Sequence, residues 1–291
     1  MAGPREIDDE LDPARFFHHY ARFVETSETG PWLDRLNARY LALIHANRAL
    51  IEGARVLDLA SHDGRFSFAA LQNGAANVIG IEHEPHLVAK ANENMELYEV
   101  ERGRYQFLLG DMFDLIPQLE LACDVVFCFG ILYHINDHMR LLSTIAEFEP
   151  RTVIIDSNVS HIERAAIELR APVAGNPPPV GAQLEGWPSR TGLDAMLSSF
   201  GWTFEYFDWA HSGLVDSPKM EDYRDGRRAT VVVECNERID PDVRDRAVQL
   251  VFERQQERRT QWIVIVRTAG EFGLSPQALA VWVRRAERLG P

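Results

Sequence analysis

Cysteine is scarce: only Cys123, Cys128 and Cys235 occur in 291 residues. None has the paired spacing of a metal site, and Cys123 and Cys128 fall in an apolar run that reads as a buried strand. A disulfide framework and a zinc site are therefore excluded, and all three read as reduced cytoplasmic thiols. Long hydrophobic runs are missing too. None approaches the ~18 residues of a membrane span, and the acidic start, Met1 to Glu10, has no apolar signal core. The expected localisation is cytoplasmic, with no membrane partner. Positive charge is in deficit, 30 Lys and Arg against 44 Asp and Glu, for a net charge of −14. The deficit is uneven. From Arg238 onward ten Arg face seven Asp and Glu, a surplus of three, so the rest carries −17. An acidic body repels a polyanion, which disfavours a nucleic-acid acceptor.

Glycine is missing where a phosphate-binding loop would need it. The stretch Arg55-Val-Leu-Asp-Leu-Ala-Ser-His-Asp-Gly-Arg-Phe-Ser67 reads as a strand, an acidic turn and the start of a helix. Such a segment builds a ligand site at the carboxyl end of the first strand of an open α/β sheet. A dinucleotide would require G-x-G-x-x-G, so that backbone can approach the pyrophosphate. Here Ala60 and His62 occupy positions that call for small residues, and only Gly64 remains. Asp58 would repel a phosphate but favour a cation. S-adenosylmethionine, with a sulfonium, an ammonium group and no phosphate, suits this loop better than NAD.

Apolar spacing over 13–52 is helical, with Phe16, Phe17, Tyr20, Phe23, Trp32, Leu33, Leu36, Tyr40, Leu41 and Ile44 on one pattern. This prelude, 1–50, reads as packing against the sheet or as a lid. Strands over 55–59, 77–81, 105–109, 122–129 and 152–155 then alternate with helices over 65–73, 85–99 and 136–148. That rhythm predicts βαβ units and a sheet covered on both faces. A Pro/Gly-rich stretch over 171–190 breaks it and reads as a loop that caps the site. A helix over 190–199 and strands over 202–207 and 229–234 complete the pattern. The expected fold is α/β, Rossmann-like and doubly wound, with a mostly parallel seven-stranded sheet over 51–236, N-terminal helices and a helical tail over 237–291.

The ordered motifs resemble the class I S-adenosylmethionine-dependent methyltransferases. Asp58-Leu-Ala-Ser-His-Asp-Gly64 matches the first cofactor loop, although Ala60 and His62 replace the family's first two glycines, and His62 itself can line the pocket. Glu82, 24 positions after Asp58, matches the acid that holds the ribose hydroxyls, and His83 follows it. Gly110-Asp111-Met112 matches the segment that reads the adenine. Phe129-Gly-Ile-Leu-Tyr-His-Ile-Asn-Asp137 resembles the G-x-L-Y-H segment beneath the reacting methyl. Trp187-Pro-Ser-Arg and Leu193-Asp-Ala-Met-Leu resemble a later segment of a subgroup that methylates sugars and secondary metabolites, mycobacterial polysaccharide enzymes among them. The resemblance implies a cofactor site of Asp58, Ala60, His62, Gly64, Glu82, His83, Asp111, Met112 and Phe129.

A hydroxyl acceptor needs a base. His134, after the fourth strand, is the candidate, and its alternative role is a structural histidine. His138, one helical turn on, is expected to face solvent or cap. Asp156, with Ser157 and Asn158, ends the fifth strand, where catechol-type O-methyltransferases hold Mg²⁺. The partner acid after the fourth strand is replaced by Phe129-Gly-Ile-Leu, so no metal site is expected, and Asp156 reads as a second base or substrate binder. Tyr133, Asn158 and Trp187 are the remaining acceptor candidates.

The tail carries a second resemblance. Asp242 to Arg254 is helical, and Gln261-Trp262 with Arg267 to Glu287 reads as helix, glycine turn, helix. It resembles the helix-turn-helix of insertion-sequence transposases of the IS-three type, in which Ser275 would cap the recognition helix and Gln277, Arg284 and Arg285 would face DNA. The transposase catalytic domain is missing, which excludes transposition. A surplus of three positive charges beside a body of −17 favours a passenger over a DNA-binding module. Its helices can also pack on the body or support a homo-oligomer. The function expected is O-methylation of a small-molecule or saccharide hydroxyl. The alternatives are a tRNA-modifying enzyme and a DNA-binding protein that senses S-adenosylmethionine.

Overall fold

The computed structural model describes residues 12–29, 32–119, 123–171, 184–235, 240–255 and 260–289. Most of the stretch expected to cap the site, 172–183, lies outside the described residues. The strands are β1 (Arg55–Leu59), β2 (Asn77–Glu82), β3 (Tyr105–Leu109), β4 (Val125–Phe129), β5 (Thr152–Asn158), β6 (Ile167–Arg170), β7 (Glu185–Pro188), β8 (Thr203–Tyr206) and β9 (Arg228–Glu234). The helices before β1 are α1 (Phe16–His19), α2 (Arg22–Glu25), α3 (Leu33–Leu43) and α4 (Arg48–Ile51). Those of the alternating part are α5 (Arg65–Gln72), α6 (Pro85–Leu97), α7 (Met112–Leu115), α8 (His138–Ala146), α9 (Arg190–Ser199) and α10 (Glu221–Arg224). The tail holds α11 (Pro241–Gln255), α12 (Gln261–Phe272) and α13 (Pro276–Leu289).

Seven strands form one sheet in the order β3-β2-β1-β4-β5-β9-β8. β1 to β5 are mutually parallel where they pair, and β9 runs antiparallel to both β5 and β8. The alternation of side chains along each strand feeds two cores. Val56, Val78, Val125, Phe127 and Ile154 enter one, with α3 and α5. Leu57, Leu59, Ile81, Val126, Val153 and Ile155 enter the other, with α8 and α9. A sheet buried on both faces explains the near-continuous apolar strands. The N-terminal helices pack into the first core through Phe16, Phe17, Phe23, Leu36 and Leu43 rather than standing clear of it.

Chain order reverses between β1 and β4, which opens a crevice at the carboxyl ends of those strands. One feature differs from expectation. Part of the presumed loop is a separate antiparallel ribbon in which Glu168 pairs with Trp187 and Arg170 with Glu185. Ile167-Glu168-Leu169-Arg170 alternates apolar and polar residues, but over only four positions, and Glu185-Gly-Trp-Pro188 shows no such alternation. Gly186 lets the ribbon approach the turn after β4, because a Cβ there would meet the Ile135 carbonyl oxygen at 3.0 Å.

Candidate functional site

The loop after β1 keeps a glycine-like backbone without the glycines. Ala60 and His62 have φ of 55° and 54°, and Gly64 has 78°. The left-handed region costs a residue with a Cβ on the order of 1 kcal/mol, so the loop must be held by something else. Asp63 is that something. It is buried, accepts from Arg65 Nε at 2.6 Å and from Thr26 Oγ1 at 2.6 Å, and its backbone oxygen accepts from Asn94 Nδ2 at 3.0 Å. Burial alone would raise its carboxyl, but Arg65 and His62 outweigh that and hold it well below the usual carboxylate range. Arg65 also reaches His62 Nδ1 at 2.9 Å and Ser27 Oγ at 2.8 Å.

Glu82 fixes the other side of the loop. Its carboxylate accepts the backbone N–H groups of His62 (2.9 Å), His83 (2.8 Å) and Glu84 (3.0 Å). Asp111 caps α7 by accepting from Phe113 N at 2.7 Å with Oδ1 alone, and Met112 opens that helix. Phe129 ends β4, stacked on Phe127 at 4.7 Å and edge-on to Phe66. Asp58 does not line the crevice openly. It is buried, and its carboxylate accepts from Ser67 Oγ at 2.6 Å. Burial pushes it up to about 7 despite that bond, with Glu82 adding repulsion. Any pull of Asp58 on a cation therefore acts through the loop rather than by contact.

His134 lies in the turn Leu132–His134 that follows β4. Its Nδ1 is buried and unpaired among the described residues, 3.3 Å from Oε1 of Glu185. Glu185 is itself buried and receives Trp187 Nε1 on its other oxygen at 2.8 Å. The Arg170 guanidinium covers the Trp187 ring at 3.9 Å, and Tyr133 meets the same ring edge-on at 6.0 Å. Burial, with Arg228 nearby, pushes the imidazole down to about 4, so His134 is neutral at pH 7. Sequence reasoning missed Glu185. Its only local signal is the Glu-Gly-Trp run before a helix cap, and its partner is about fifty positions away. His138 requires a correction. It is buried rather than solvent-facing, and its Nε2 donates to the Gly186 carbonyl at 2.9 Å, tying the ribbon to α8.

Asp156 is fully occupied. Its carboxylate accepts from Arg39 (2.9 Å), from Arg228 Nε and Nη2 (2.9 and 2.6 Å), from Tyr223 (3.0 Å) and from Thr230 (2.9 Å). Burial would raise this carboxyl, yet Arg228 and Arg39 hold it well below the usual carboxylate range. Such an acid has no lone pair to give a substrate, so the geometry assigns Asp156 a structural part in place of the expected catalytic one. Asn158 Oδ1 accepts from the same Arg228 at 3.3 Å.

Residues 50–171 match a family model described as a methyltransferase domain. Residues 50–171 are a methyltransferase domain. Two similar proteins are both called ribosomal RNA large subunit methyltransferase I. The one from Cronobacter sakazakii is 30% identical over 89 residues and the one from Yersinia pseudotuberculosis 32% over 89 residues, in each case 31% of this chain. The chain spans only 21% of the length of either relative. The solved N-terminal domain of EvdMO1 with S-adenosylhomocysteine bound superposes with a TM-score of 0.51 at 18% identity, over 73% of this chain and 83% of that one. The fold of the methyltransferase domain is thus that of the S-adenosylmethionine-dependent class, and S-adenosylmethionine is the cofactor that goes with it.

The donor set of the domain fits that cofactor. Acids stand at the ends of β2 and β3, where a ribose and an amino group can be accepted, and no amide cradle for a phosphate is required. The Ser61 hydroxyl beneath the loop is buried and unpaired among the described residues. Asp111 Oδ2 has no hydrogen bond among them either, which leaves a free acceptor at the end of β3.

Proposed function

We propose that the domain transfers the methyl group of S-adenosylmethionine to a hydroxyl of a small molecule or saccharide. The observation that carries this reading is the imidazole of His134 set 3.3 Å from the buried carboxylate of Glu185 at the carboxyl end of β4. Bound S-adenosylmethionine supplies an electrophilic methyl with a good leaving group, so the protein's contribution is mainly orientation and proton removal. In the proposed arrangement Glu82 receives the ribose, Asp111 and Met112 meet the adenine, and Ala60, His62, Gly64, His83 and Phe129 enclose the rest, with Asp58 contributing its field. Tyr133, Trp187 and Asn158 border the acceptor. His134 is neutral at pH 7; its Nδ1 lies 3.3 Å from Glu185 without a hydrogen bond to it, and in this proposal it closes on that carboxylate as Nε2 takes the hydroxyl proton. Glu185 stabilises the imidazolium as it forms, which offsets the low basicity that burial imposes.

The test is cofactor turnover across a panel of glycosides and phenols. His134→Ala should lower turnover by about 10²- to 10⁴-fold while cofactor binding by calorimetry stays the same, and wild-type turnover should be flat from pH 6 to 8, since the base titrates at about 4. Unchanged turnover in the variant would remove His134 as the base. A second reading, an RNA acceptor, draws support from the names of the two relatives. It predicts methylation of ribosomal RNA and no turnover on the hydroxyl panel. The charge of −17 outside the tail weighs against it.

A further inference from the structure

The tail and the methyltransferase domain enclose a groove that neither makes alone. It lies between α13, α8 and the α7 segment, with a volume of about 430 Å³. Three guanidiniums line it: Arg140 from α8, and Arg284 and Arg288 from α13. Two acids, Asp137 and Glu147, line it as well, which leaves a surplus of one positive charge. Glu147 holds Arg288 at 2.5 Å, and Glu149 holds Arg244 at 2.9 Å. Asp137 caps α8 by accepting the Arg140 backbone N–H at 3.0 Å. The guanidiniums of Arg140 and Arg284 have no carboxylate partner among the described residues, and that of Arg140 lies 4.1 Å over the Phe113 ring. The groove is thus a local cationic exception on an acidic molecule.

We infer that this groove binds a phosphate-bearing small molecule of nucleotide size. Guanidinium forks match phosphate oxygens and form charge-assisted hydrogen bonds to them. The volume falls within the ~300–1,000 Å³ usual for small-ligand sites. A long polyanion would meet the acidic body on leaving the groove, so a small anion is the fitting ligand. The site is separate from the cofactor crevice, since neither Asp58 nor Glu82 lines it.

Calorimetric titration of the full chain with ADP and with inorganic pyrophosphate tests this. Saturable binding is expected, with at least about tenfold weaker affinity in Arg284→Ala, the loss of one charge-assisted phosphate contact. Arg267→Ala, on the exposed side of α12, serves as control and should bind like wild type. No saturable binding of either probe at millimolar concentration overturns the proposal, as does equal affinity in wild type and Arg284→Ala. Tighter binding of a single-stranded RNA oligonucleotide than of ADP, lost in Arg284→Ala, would overturn the small-molecule assignment.

Discussion

Asp58 shows how one position can be read correctly for its place and differently for its chemistry. It stands at the end of β1, as the sequence indicates, but packing closes over it. Its carboxyl is moved by burial from 3.8 up to about 7. Between those values the folded protein keeps a proton that the unfolded chain releases, so Asp58 makes the protein less stable as pH rises through that window. Above about 7 the full cost is present, on the order of 2–4 kcal/mol from a shift of about three units at 1.36 kcal/mol each, less some relaxation. Asp58→Asn keeps an acceptor for Ser67 and removes the charge. It should therefore stabilise the protein at pH 8 by a few kcal/mol and have little effect at pH 4, measured by urea unfolding. Equal effects at both pH values would mean that Asp58 is not held in a charge-hostile site. The neighbouring loop follows the same logic. Ala60 and His62 replace the first two glycines of the family's cofactor loop, and the Asp63–Arg65 pair keeps their left-handed backbone in place.

Between elements, the Asp156 cluster joins β5 to β9, α3 and α10 through Arg228, Thr230, Arg39 and Tyr223. Removing one partner of a buried pair leaves an uncompensated charge, which typically costs about 3–5 kcal/mol. Arg228→Met should destabilise by that amount in chemical denaturation, and adding Asp156→Asn should restore part of it. A loss below about 1 kcal/mol would show the cluster to be hydrated and weak. This cluster also marks where the sequence stops being legible. Strand positions, helix positions and the loops after β1, β2 and β3 follow from local pattern: apolar runs, caps, and the acids at strand ends. The partners of Asp156 lie 117 and 72 positions away at Arg39 and Arg228. Nothing in the local pattern around Asp156-Ser-Asn158 separates a saturated carboxylate from a free one. Glu185 was hidden for the same reason: its meaning comes from His134, about fifty positions away.

For the whole molecule, the question is whether the tail belongs. Its own core is small, built from Ala247, Val251, Val264, Ile265, Leu279 and Val283. Yet α13 also enters the methyltransferase core. Val281 is 1% exposed in the same cluster as Phe200, Trp202 and Cys235. Ser275, expected to cap a DNA-reading helix, does sit at the start of α13, where its Oγ donates to the Ser199 carbonyl at 2.7 Å. Arg285, expected to face DNA, donates to the Glu147 carbonyl at 3.1 Å, and Arg288 pairs with the Glu147 carboxylate. The helix that would enter a groove of DNA is laid against α8 instead. A charge count alone favours a passenger because it sees the surplus but not where the arginines go. Packing gives the opposite expectation: ending the chain after residue 236 should uncover Phe200 and Trp202 and cost about 2–4 kcal/mol of burial, lowering the melting temperature by roughly 4–15 °C. Val281→Asp in the full chain should do nearly as much by placing a carboxylate in that core. Scanning calorimetry of both forms measures this, and a truncated protein that melts with the full-length one would return the tail to passenger status.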